Sequence, residues 1–62
     1  MKMWIARDKV GSLCMFYRKP KLKDGTIWYL KFGRTMLLMP NMFPEVTFEN
    51  SPKEVTITLN DD

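Results

Sequence analysis

Histidine is absent from this 62-residue sequence, cysteine occurs once, glycine three times, and no apolar run approaches the length of a membrane span. Each shortage excludes a class of protein. Without His the chain lacks the commonest general base and metal ligand, and a lone Cys without a His partner has no evident activator; neither catalysis nor a cofactor is expected. One Cys cannot form an internal disulfide, which removes the usual staple of small secreted domains and points to a reducing compartment, the cytoplasm. The longest uninterrupted apolar run, Met36 to Pro40, is far short of the ~20 residues a span requires. Arg7, Asp8 and Lys9 interrupt the start before an h-region of about 7 residues can form, so no secretion signal is readable and no membrane partner is expected. The length leaves room for one domain, residues 1–62, burying roughly 60% of the surface its unfolded chain exposes.

What is present is apolar and aromatic. Apolar residues make up 45% of the chain and charged ones 27%, with two Trp, two Tyr and four Phe; disorder is not expected from such a composition. No stretch repeats apolar residues at helical spacing, Pro stands at 20, 40, 44 and 52, and β-branched and aromatic residues dominate the apolar set. The reading is all-β. Strands are expected at Met3–Arg7, Ser12–Arg18, Ile27–Phe32, Thr35–Met39 and Glu54–Leu59, with a further short extended piece at Val46–Phe48. Asp8-Lys9-Val10-Gly11 and Lys23-Asp24-Gly25-Thr26 supply turns, the Asp-Gly pair suiting the positive φ of a tight hairpin. Lys19–Lys23 is expected to be a basic connection in solvent, Pro40–Pro44 an irregular stretch able to hold one 3₁₀ turn, and Asn60-Asp61-Asp62 a fraying acidic tail. Five or six such strands suggest a small antiparallel meander, bent into an SH3-like or OB-like partial barrel because closure limits exposed edges. The alternative is an open antiparallel sheet that dimerises.

The opening Trp4-Ile5-Ala6-Arg7-Asp8-Lys9 with Gly11-Ser12-Leu13, and the later Phe43-Pro44-Glu45-Val46-Thr47-Phe48-Glu49 with Pro52 and Glu54-Val55, resemble a group of short uncharacterised proteins of gut bacteria and their phages. The likeness covers the start and the last third of the chain; the basic middle from Arg18 to Arg34 is particular to this sequence. Val10 stands where that group favours a polar turn residue, and Phe48 where Trp is commoner. The resemblance implies a phage or mobile-element origin, where small accessory and inhibitor proteins are common. It assigns no activity, cofactor or partner to any residue.

Few residues carry candidate chemistry. Glu45, Glu49 and Glu54 could pair for hydrolysis or hold a hard cation, but flank loops and read more simply as solvated charges. Cys14 would gain reactivity if Arg18 and Lys19 were near it in space, whereas its alternation with Phe16 favours a packed role. Charge is distributed unevenly: residues 1–34 carry nine Lys and Arg against Asp8 and Asp24, while residues 35–62 carry Lys53 against five acids. Within the basic part Tyr17, Arg18, Lys19, Lys21, Lys23, Trp28, Lys31 and Arg34, with Tyr29, gather about one expected hairpin. Cations beside aromatic faces suit single-stranded nucleic acid, phosphates being neutralised and bases stacked. The same composition also arises from a hairpin with aromatics inside and lysines outside.

The second candidate surface is apolar. Met36, Leu37, Leu38, Met39, Met42 and Phe43 exceed what one face of a short strand can bury, and Met is common at adaptable binding surfaces. Met36, Leu38, Met39, Met42 and Phe43 are the expected contact residues for a protein partner or a second copy, aided by complementary fields between the basic hairpin and Glu45, Glu49 and Glu54. A small barrel packed on both faces would instead consume them. The expected function is a non-enzymatic protein-interaction module or homo-oligomer, with single-stranded nucleic-acid binding as the alternative and no small-molecule substrate.

Overall fold

Side chains alternate between the two sides of a strand, and in Lys2–Arg7 (β1) this sends Met3, Ile5 and Arg7 one way and Trp4 and Ala6 the other. The computed structural model describes residues 2–56 and contains five further strands: Leu13–Phe16 (β2), Lys21–Lys23 (β3), Ile27–Tyr29 (β4), Thr35–Leu38 (β5) and Lys53–Thr56 (β6). Every pairing is antiparallel. The chain is thus a small all-β protein of six short strands, with no helix among the described residues. The strands divide into a four-stranded sheet in the order β5-β2-β1-β6 and a separate β3–β4 hairpin. Neighbours in sequence are not always neighbours in space: β5 pairs with β2 rather than with the hairpin strands before it, leaving β5 and β6 at the two edges of the main sheet.

Register decides which side chains meet. Trp4 lies opposite Phe16 and Ala6 opposite Cys14 on one face, Ile5 opposite Met15 and Arg7 opposite Leu13 on the other. On the second face Ile5, Leu13 and Val46 form a buried centre against which Met15, Leu38, Phe43 and Val55 pack. Val46 and Phe43 come from the turn-rich stretch after β5, which closes this face. Burying an Ile, Leu or Phe side chain contributes roughly 1.5–3 kcal/mol, so a handful of such residues matters in so short a chain. The first face is closed as well, Ala6 and Phe16 each being 1% exposed. The hairpin is tied to the β1–β2 turn by the Lys9 N–H donating to the Thr26 carbonyl at 3.0 Å and the Trp28 N–H donating to Asp8 Oδ1 at 2.8 Å.

Strand ends and two loops differ from the sequence reading. The second strand is shorter than Ser12–Arg18, with Pro20 buried two residues after Arg18. The third stops at Tyr29, because residues 31–33 bend into Gly33, whose φ is 124°. The basic connection Lys19–Lys23 is itself partly strand: Lys21 pairs with Tyr29 and Lys23 with Ile27, and Asp24 and Gly25 turn with φ of 53° and 69°. The extended piece expected at Val46–Phe48 is instead a turn. There the Thr47 N–H donates to Asn50 Oδ1 at 2.8 Å and the Asn50 N–H to Thr47 Oγ1 at 3.2 Å, side-chain bonds that compete with a ladder. Pro40–Pro44 is irregular, as expected; no 3₁₀ helix forms there, and the Met42 N–H donating to the Met39 carbonyl at 3.0 Å closes an isolated turn. The Ser51–Pro52 peptide is cis. Ile57, Leu59 and the acidic tail lie outside the described residues.

Candidate functional site

The ladder to β2 positions Met36–Leu38, and a single side chain holds the rest of the candidate apolar segment. Arg7 closes β1 on the face that carries the core, and its guanidinium donates only to backbone carbonyls. Nε reaches Val46 at 2.6 Å, Nη1 reaches Gly11 and Pro40 at 2.9 Å each, and Nη2 reaches Met42 and Phe43 at 3.1 Å each. Five N–H groups in a fixed fork can satisfy this many acceptors, and no other side chain offers them. Residues 40–46 are thereby folded back toward the sheet. The Arg7 N–H donates to Ser51 Oγ at 2.8 Å, a side-chain bond two positions beyond the Ile5–Lys53 pair that ends the β1–β6 ladder.

On that frame the structure divides the candidate contact residues. Leu38 and Phe43 pack against the core. Met36, Met39 and Met42 stay exposed, Met39 at 64%, and Leu37, which the sequence reading left out of the contact set, is 74% exposed. Leu37 follows from the period of two: with Leu38 turned to the core, its neighbour faces away. Phe32, also 74% exposed, lies in the bend past the end of β4, although alternation places it on a strand face with Trp28 and Leu30. From Thr35 to Pro44 the chain holds no charged residue.

The basic candidate residues lie on the hairpin and in the bends on either side of it. Lys21, Lys23, Ile27 and Tyr29 share one face of the hairpin, and Leu22 and Trp28 share the other. Trp28 is half-buried, tied through its backbone to Asp8, with its ring 6.4 Å from that of Phe48; Tyr29 is the aromatic that stands beside the lysines. The Lys19 ammonium lies 5.6 Å from the Trp4 ring centroid and the Lys31 ammonium 5.8 Å from that of Phe32. Each is a cation–π arrangement that uses a charge within the chain. Arg34 meets Tyr17 across the β2–β5 ladder through its carbonyl, while Arg18 and Tyr17 are exposed.

The remaining candidates are dispersed. Cys14 is half-buried on β2; burial pushes its thiol above the ordinary value and the negative charge of Asp8 adds to that, the reverse of activation by Arg18 and Lys19. Glu54 faces Lys2 at 3.6 Å across the β1–β6 pair, whereas Glu45 and Glu49 sit exposed in the turn-rich stretch. No three metal-ligating side chains are grouped, and no helix is long and apolar enough to cross a membrane, among the described residues. No family model, no curated protein and no solved structure matches this chain.

Proposed function

We propose that this protein is a non-enzymatic binding module that works in the cytoplasm by protein–protein contact, a second copy being the partner its own surface favours. The observation that carries this reading is the charge-free stretch Thr35–Pro44, which presents Met36, Leu37, Met39 and Met42 to solvent. Single exposed apolar residues are ordinary, but several in one uncharged segment, Met36 on one face of β5 and Leu37 on the other, favour a partner. The resemblance in the opening and closing segments supports placing the protein among small accessory proteins of phages or mobile elements. Its test is mass in solution by light scattering across a concentration series. Mass rising above 7.4 kDa with concentration supports the reading, and a strict monomer that binds no hydrophobic dye contradicts it.

One observation favours a second reading, single-stranded nucleic-acid binding. Lys21 and Lys23 share a hairpin face with Tyr29, which places two cations beside one stacking surface. Oligonucleotide titration at several salt concentrations tests it: affinity that falls steeply with salt supports phosphate contact, and no binding at low salt removes the reading.

A further inference from the structure

The Tyr17 N–H donates to the Arg34 carbonyl at 3.3 Å, which marks these two as a hydrogen-bonded pair in the β2–β5 register. Hydrogen-bonded and non-hydrogen-bonded pairs alternate along an antiparallel ladder. Met15/Met36 and Leu13/Leu38 are therefore bonded pairs, while Phe16/Thr35 and Cys14/Leu37 are not. Thr35 and Leu37 accordingly aim their N–H and C=O groups away from β2. Among the described residues no strand lies beyond β5, and none supplies those groups with a partner.

The two edges of the main sheet are treated differently. β6 carries Lys53 and Glu54 within it, charges of the kind that guard an edge; β5 has no charge within it, Arg34 standing just before it. Building on the reading of this segment as a protein interface, we propose that β5 pairs antiparallel with β5 of a second copy, joining two four-stranded sheets into one across a twofold axis at Met36. That register sets Thr35 of each copy opposite Leu37 of the other, so the outward N–H and C=O groups of both residues are all satisfied. Met36 meets its own counterpart and Arg34 meets Leu38. The two Arg34 residues stay about 13 Å apart along the strands, so no like charges face each other. Self-complementarity of this kind is what a twofold interface demands, and it is why the occupant is a second copy.

Three variants of the full chain test the pairing by sedimentation equilibrium, with circular dichroism as the control for folding. Leu37→Pro removes an N–H that β2 does not use, so the fold should persist while the dimer dissociation constant rises at least tenfold. Met36→Lys and Met36→Glu place like charges opposite each other at the axis, and each alone should be monomeric. Mixed, the two should form a heterodimer tighter than either homodimer, weakened by salt. A heterodimer in the mixture together with loss of the Leu37→Pro dimer establishes the pairing. If these variants associate like the wild type while Met39→Lys with Met42→Lys abolishes association, edge pairing is overturned and the apolar interface stands. A wild-type monomer at every concentration overturns the pairing, and the second-copy reading with it.

Discussion

Arg7 makes the most demanding contacts in the protein, because one guanidinium donates to five carbonyls, one in the β1–β2 turn and four in residues 40–46. Hydrogen bonds from a charged group are worth more than neutral ones, and carbonyls left without a donor retain their desolvation cost. Arg7→Lys supplies three donors from a point charge in place of a fork. We expect it to lower stability by about 2–4 kcal/mol, read as a shift in urea midpoint; a change under about 0.5 kcal/mol, ordinary for a surface site, would contradict the clamp. Phe43 offers a second residue-scale test. Its φ is 48°, a left-handed conformation that costs a non-glycine residue roughly 1 kcal/mol, yet its ring packs on the core. Phe43→Ala loses the ring and keeps the strain, so Phe43→Gly should be the less damaging of the two, the reverse of their order in ordinary backbone. Cys14 gives a third. A thiol whose ionisation is disfavoured by burial and by Asp8 should react with iodoacetamide at neutral pH more slowly than a free cysteine peptide. With the folded pKa raised, the contribution of Cys14 to stability is intact below the ordinary thiol value and is lost as pH rises from there through the raised value of the folded protein. Alkylation as fast as the peptide's would show that the thiol is not shielded.

At the scale of elements, the turns carry the clearest tests. Gly25 sits at φ 69° with nothing near a prospective Cβ, whereas Gly33 sits at φ 124° with Leu30 Cδ1 only 3.3 Å from one. Gly25→Ala should therefore cost about 1 kcal/mol, a purely conformational penalty, and Gly33→Ala distinctly more; thermal melts in the opposite order would contradict the turn geometry. These turns were legible from residue types, since Asp-Gly and isolated Gly have backbone meanings that need no tertiary context. β1, β2, β4 and the described part of β6 were legible from alternation, give or take their ends, and β5 from a short apolar run after the Gly33 reversal. What was not legible depends on distant partners. Lys21–Lys23 reads as a loop because two lysines beside Pro20 have no apolar period, and it becomes a strand only through Tyr29 and Ile27. Pairing of β5 with β2 joins residues far apart in sequence, which no local pattern encodes. Arg7 gave no signal because its partners are backbone carbonyls, which every residue has.

For the molecule as a whole, charge and apolar surface point to different partners and respond differently to salt. The first half of the chain is basic and the second acidic, so contacts between those halves, or with phosphates, weaken as salt screens them. The Thr35–Pro44 segment carries no charge, and association through it should change less than threefold in dissociation constant between low and high salt. A steep loss with salt would move the interface to the hairpin. The candidate contact set was half legible for a related reason: composition marked Met36, Met39 and Met42, but only the fold shows that Leu38 and Phe43 turn inward and Leu37 outward.

The most direct test of the β5 interface is amide hydrogen exchange followed residue by residue as concentration rises. Met36 and Leu38, bonded to β2, should be protected throughout, while Thr35 and Leu37 should exchange fast when dilute and become protected as the protein is concentrated. Fast exchange of Thr35 and Leu37 at every concentration, particularly alongside a rising mass, would contradict β5 as the joining edge.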